Sequence, residues 1–190
     1  MTARRVKLTT MRILKDQTIA FIVDVQERLF PVIHNNEQLA QNLEKLIHGL
    51  KILQIPIKVT EQYRKGLGIT ISPLQPLLQD STNIEKLAFS CCDAPEFMSE
   101  IDNQTNKFIV LAGIEAHICL LQTAIDLKEK GFQPEVVEDC TGSRNPENKR
   151  IAIQRMIQEG VIVTSFESLL FELCRYAGTD SFKAISKLVK

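Results

Sequence analysis

Five short runs rich in β-branched and apolar residues, at positions 19–23, 57–60, 108–112, 135–137 and 161–164, recur along this chain, each bounded by polar residues, glycine or proline. A strand that is apolar on both of its alternating faces must be covered on both sides, which is the habit of a parallel sheet. A weaker run at 84–87 is a candidate for a further strand. Between the runs the periodicity turns helical. Leu39, Leu43, Leu46, Ile47 and Leu50 fall on one helical face, with Asn35 as the expected N-cap and Gln38 as its capping-box partner. Helices are also expected over 118–130 and 151–159, closed by Gly131 and Gly160. Asn145-Pro146 reads as a cap followed by a first-turn proline. Ser165 opens a helix through Leu169, Leu170 and Leu173, and Phe182, Ile185, Leu188 and Val189 mark a last amphipathic one.

This alternation predicts an α/β fold, a three-layer α/β/α sandwich around a doubly wound, mostly parallel sheet of about six strands in the order 3-2-1-4-5-6. A chain of 190 residues suits one such domain. Residues 1–15 read as a basic leader, 16–178 as the domain, and 179–190 as a C-terminal amphipathic helix suited to an oligomer interface. The leader carries Arg4, Arg5, Lys7, Arg12 and Lys15 before the first acid, Asp16, but has no apolar core of the kind a signal peptide needs. Charge is balanced, with 23 basic and 23 acidic side chains. There is thus no cationic excess to displace counterions from nucleic-acid phosphates. The apolar runs are far shorter than the roughly 18–20 residues of a membrane span. Five cysteines with no Cys-x-x-Cys spacing fit reduced thiols in a cytoplasmic protein. A small-molecule partner is expected, with neither nucleic acid nor membrane, and no metal or other cofactor.

In such a sheet the ligand site lies beyond the carboxyl ends of the strands where their order reverses, between the first strand and the fourth. The first run leads straight into Asp24, a carboxylate so poorly solvated that it needs either a partner or a function. A plain turn role is the alternative. The fourth leads through Gly113 to Cys119, at the start of an expected helix, where the dipole and any nearby cation favour a thiolate. Cys119 reads equally as a small buried hydrophobe. Together the two side chains offer a base and a soft nucleophile.

Three segments resemble the signatures of the isochorismatase-like (cysteine hydrolase) superfamily: Phe21-Ile22-Val23-Asp24-Val25-Gln26-Glu27-Arg28-Leu29, Glu85-Lys86-Leu87-Ala88-Phe89-Ser90 and Gly113-Ile114-Glu115-Ala116-His117-Ile118-Cys119. Thr60-Glu61-Gln62-Tyr63 and Val137-Glu138-Asp139-Cys140-Thr141-Gly142-Ser143 stand where that family has its second- and fifth-strand turns. The resemblance covers residues 17–175 and is nearest to the small, uncharacterised isochorismatase-domain hydrolases. It implies an Asp24–Lys86–Cys119 triad, a cis peptide between Ile114 and Glu115, and an oxyanion hole from the Glu115 and Cys119 N–H groups. It also implies hydrolysis of an amide-type C–N bond through a thioester, without a metal, in a homo-oligomer of two or more subunits. Lys86 enters by resemblance alone. The third strand belongs far from the switch point, and a lysine is ordinarily a solvated charge.

Within that family, nicotinamidases carry an Asp-x-His element and a further His for a metal after the second strand. Here that stretch reads Glu61-Gln62-Tyr63-Arg64-Lys65-Gly66-Leu67-Gly68, and the histidines of the whole chain are His34, His48 and His117. Isochorismate-cleaving members do not depend on a cysteine nucleophile, so Cys119 turns the expectation towards C–N hydrolysis. Gln26, Phe89 and His117 are pocket candidates by proximity, although Phe89 reads equally as core and His117 as a cap. Arg144 is a candidate contact for a substrate anion, and Cys91 and Cys92 are expected to pack beneath the pocket. Two competing readings are a catalytically silent interaction protein and a thiol redox protein using Cys91, Cys92 or Cys119.

Overall fold

The computed structural model describes residues 12–102 and 104–190. Most of the expected basic leader, residues 1–11, lies outside the described residues. The strands are β1 (Thr18–Val23), β2 (Ile57–Gln62), β3 (Thr82–Lys86), β4 (Phe108–Ile114), β5 (Gln133–Gly142) and β6 (Ile162–Thr164). They form one parallel sheet in the order β3-β2-β1-β4-β5-β6. The helices are α1 (Asn36–Ile52), the short α2 (Arg64–Leu67), α3 (Gln75–Leu78) and α4 (Pro95–Ser99), then α5 (Leu121–Glu129), α6 (Pro146–Gln158), α7 (Phe166–Cys174) and α8 (Asp180–Leu188). Every residue of β1 and β4 is buried. Ala20, Ile22, Val110 and Ala112 pack under α1, α7 and α8, while Ile19, Phe21, Ile109 and Leu111 face α4, α5 and α6. Each fully buried aliphatic of this kind contributes about 1.5–3 kcal/mol. The three-layer expectation holds.

Local chemistry accounts for most of the helix ends. The Asn145 side chain accepts the Glu147 N–H at 2.9 Å, with Pro146 in the first turn. Gly131 and Gly160 adopt positive φ of 90° and 78°. The Asn35 cap, however, does not form. At φ 55° its side chain turns away from the first amides of α1, and Gln38 donates instead to Asn42 Oδ1 at 2.9 Å. The chain entering α1 is held by Asn36 Nδ2, which donates to the carbonyls of Phe30 and Pro31, each at 3.2 Å. On α8, Ile185 is buried, and the half-buried Phe182 lies 6.1 Å from Phe171 of α7, ring centre to ring centre. Among the described residues, no helix is long and apolar enough to cross a membrane.

Three features of the sheet shape its carboxyl edge. β5 runs for ten residues rather than three. Its register with β4 slips between the pairs Leu111–Val136 and Gly113–Thr141, and this carries the polar stretch Glu138–Thr141 forward to Ser143. After β4 the chain makes a wide turn over Ala116–Leu120 before α5, with the Ile118 and Leu120 N–H groups both donating to the Glu115 carbonyl. At Gly113, φ is 124° and an added Cβ would stand 2.1 Å from the Val23 carbonyl oxygen. β1 and β4 close against each other here because residue 113 has no side chain. Gly113→Ala is therefore expected to destabilise by at least about 3 kcal/mol. A thermal melt within about 2 °C of wild type would contradict this.

Candidate active site

Asp24 leaves β1 fully buried, at φ 54°. Its N–H donates to the Thr60 carbonyl at 3.0 Å, and Thr60 Oγ1 donates to Oδ1 at 2.7 Å. The other oxygen, Oδ2, lies 2.7 Å from Lys86 Nζ. It otherwise accepts no well-aligned hydrogen bond among the described residues, so a lone pair stays open to a proton. Lys86 closes β3 and pairs in register with Gln62 of β2. From two strands away, about 10 Å, its extended stem crosses the end of β2 to reach Asp24. The ammonium also donates to Gln62 Oε1 (2.7 Å), the Ala88 carbonyl (3.2 Å) and the Phe89 carbonyl (3.3 Å), and stands 3.7 Å from Cys119 Sγ. The three residues of the expected triad thus meet in one buried cluster. Asp24 is 0% exposed, Lys86 3% and Cys119 6%.

The charges follow from this enclosure. Burial works against the Lys86 ammonium, but Asp24, with Cys91 and Cys119, outweighs it and raises the pKa. Lys86 stays charged. For Cys119 the balance runs the other way, because burial and then the Asp24 carboxylate push the thiol up, and Lys86 opposes them without prevailing. Burial and the Asp24 carboxylate thus favour the protonated sulfur. The expectation of a thiolate, made from the helix start and the neighbouring cation, is corrected here: desolvation is the larger effect. Cys91 is pushed up to about 11 by burial and Asp24, with its sulfur 4.0 Å from Thr60 Oγ1. Cys92, pushed up to about 12, packs beside it. All five cysteines are free.

The pocket candidates divide. Gln26 is fully buried. Its amide is spent bracing the end of β2, Nε2 donating to the Gln62 and Gly68 carbonyls while Oε1 accepts the Gln62 N–H. Gln62, thus fixed, also donates to the Leu87 carbonyl at 2.7 Å, which turns its Oε1 to Lys86. Sequence reasoning named Thr60 and Gln62 only as part of the second-strand turn and gave neither a role; their position towards the carboxyl end of β2, the strand beside β1, is the signal that points to them. The Phe89 ring is exposed, and only its carbonyl reaches Lys86. His117 Nδ1 lies 3.0 Å from Ser143 Oγ. Glu61 is committed to Thr70, whose N–H and hydroxyl donate to Oε1, and to Arg64 at 3.2 Å.

The Ile114–Glu115 peptide is cis. The Glu115 carboxylate turns inward, where Oε2 accepts the Arg144 N–H at 2.9 Å and both oxygens lie 3.2 Å from Arg144 Nε. Clefts lie elsewhere: one of about 630 Å³ at the amino end of the sheet, bounded by Gln17, Lys107 and Lys130, and one of about 230 Å³ beside α1, bounded by His34 and Lys149.

Comparison with known proteins shows the family. The isochorismatase domain matches residues 18–168. The secreted isochorismatase effector Isc1 of Phytophthora sojae is 34% identical over 184 residues, 94% of this chain and 87% of that one. Isochorismatase domain-containing protein 2A of Mus musculus is 35% identical over 180 residues, 94% and 85% of the two chains. Among solved structures, that of the MAR1 ribonuclease from Caenorhabditis elegans superposes with a TM-score of 0.89 at 34% identity, over 94% of this chain and 92% of that one. With a domain match across most of its length and relatives that align over most of both chains, this chain belongs to the isochorismatase family.

Proposed function

We propose that the chain is a metal-independent cysteine hydrolase that cleaves an amide-type C–N bond in a small molecule. The observation that carries this is the buried row in which Lys86 Nζ stands 2.7 Å from Asp24 Oδ2 and 3.7 Å from Cys119 Sγ. Asp24 acts as general base, taking the proton from sulfur as sulfur bonds to the carbonyl carbon. The Glu115 and Cys119 N–H groups hold the oxyanion, an effect worth roughly 3–4 kcal/mol for one such donor. Collapse breaks the C–N bond, and the amine leaves with the proton that Asp24 had taken. Water then gives a proton to Asp24 and attacks the thioester, and that proton returns to the departing sulfur. Lys86 stands beside the Asp24 carboxylate throughout these transfers. Reduced thiols suit a cytoplasmic setting, and self-association as a dimer or larger homo-oligomer belongs to the same reading.

A screen of small amides for ammonia release tests this, with Cys119→Ser as the matched blank. Turnover is expected to fall about 10⁴-fold or more in the blank, as when a nucleophile is removed. Ammonia release that survives Cys119→Ser would end the scheme. An RNA oligonucleotide serves as a second substrate, because one structural neighbour is named a ribonuclease. Cys119-dependent cleavage of RNA, with every amide untouched, would replace the amide reading.

A further inference from the structure

We propose that Arg144 binds a carboxylate of the substrate, so that the site prefers amides bearing a free anionic group; this rests on the hydrolase reading above. The loop after β5 is joined to the Cys119 turn at two adjacent points. Ser143 Oγ lies 3.0 Å from His117 Nδ1, and Arg144 meets the buried Glu115 carboxylate through both its backbone N–H and its Nε. The same Glu115 receives the Ile118 and Leu120 N–H groups on its carbonyl, directly around Cys119. Arg144 is therefore tied to the turn that carries the nucleophile.

Glu115 and Arg144 are unequal partners. The Glu115 side chain is 4% exposed, whereas that of Arg144 is 57% exposed. The carboxylate lies inside and grips the near edge of the guanidinium at Nε. Neither terminal nitrogen of Arg144 donates a hydrogen bond among the described residues. A surface arginine normally loses considerable rotamer freedom when a ligand orders it, and this one is already held. What it presents to solvent is the open fork of the guanidinium, whose two parallel donors match a carboxylate. The charges of the site balance without a ligand, Lys86 against Asp24 and Arg144 against Glu115.

The test compares alkylation of Cys119 by iodoacetate and by iodoacetamide, reagents that differ in carrying a carboxylate or a neutral amide, and reads the modified peptide by mass spectrometry. Replacing Arg144 by Met leaves the buried Glu115 unpaired, so the comparison is run in Arg144→Lys and in the Arg144→Met/Glu115→Gln pair as well. The iodoacetate-to-iodoacetamide rate ratio is expected to fall about tenfold or more when the cation is removed, in keeping with a charge-assisted hydrogen bond, and to recover in part with Lys. In the amide screen, the same variants are expected to lose the preference for carboxylate-bearing amides over neutral isosteres. A ratio unchanged across all variants overturns the proposal while leaving the hydrolase reading intact. A Cys119 inert to both reagents, in a protein that releases no ammonia, overturns both.

Discussion

Glu135→Gln is expected to stabilise the protein at pH 8 and to remove much of the dependence of its stability on pH. Glu135 opens the apolar run of β5, is 0% exposed, and neither carboxylate oxygen has a hydrogen-bond partner among the described residues. Burial, and then the charge of Glu172, push its pKa from 4.5 up to about 9, with Lys128 opposing. Glu172 itself is occupied, accepting the Ile13 N–H at 2.9 Å. An acid whose folded pKa is raised keeps its proton in the native state after the unfolded chain has released it. The unfolded state therefore binds fewer protons between the two values, and stability falls as pH rises from about 4.5 to about 9. The slope approaches 1.4 kcal/mol per pH unit, and the accumulated loss at pH 8 is several kcal/mol. Above about 9 both states are charged and the slope ends. Glutamine never ionises, and leucine also removes the polar atoms left without partners. Urea unfolding at pH 5 and pH 8 reads the effect as the gap between wild type and each variant. A gap that is the same at both pH values would show that Glu135 does not titrate in this way.

Glu135 also shows where sequence patterning reaches and where it stops. The run 135–137 announces β5 because Val136 and Val137 are β-branched, and the same logic locates β1, β2, β4 and β6. With the strand order taken as the one common to doubly wound sheets, the switch point brings Asp24 and Cys119 together with no reference to any relative. Lys86 is different. Nothing local distinguishes it from a solvated lysine, and it reaches the site only because β3 ends in register with Gln62 and the stem spans a whole strand. Only the family resemblance points to it. The ten-residue β5 escapes the pattern because a register slip has no periodicity to read. The Asn35 cap fails for a related reason, since a left-handed φ is decided by the chain's path out of the preceding turn. The protonation state of Cys119 is likewise a property of the enclosure and not of the helix start.

The Asp24–Lys86 pair can be separated into its structural and chemical parts. Asp24→Asn leaves an ammonium with no counter-charge in a closed cluster, and Lys86→Met leaves a carboxylate in the same position. Each single change is expected to cost about 3–5 kcal/mol of stability, because the penalty is the stranded charge and not the lost attraction. The double variant strands nothing. The introduced amide oxygen would still accept from Thr60 Oγ1, methionine follows the path of the lysine stem, and stability is expected to recover to within about 2 kcal/mol of wild type. Activity is expected to behave otherwise. Neither single variant nor the double one retains both a base able to take the Cys119 proton and the cation beside it, so hydrolysis stays lost in all three. Chemical denaturation and ammonia release on the same four proteins check both halves. Additive stabilities would mean the two charges are not coupled as their 2.7 Å separation requires. Hydrolysis restored in the double variant would mean that a stable fold, and not proton transfer through Asp24, is what the pair supplies.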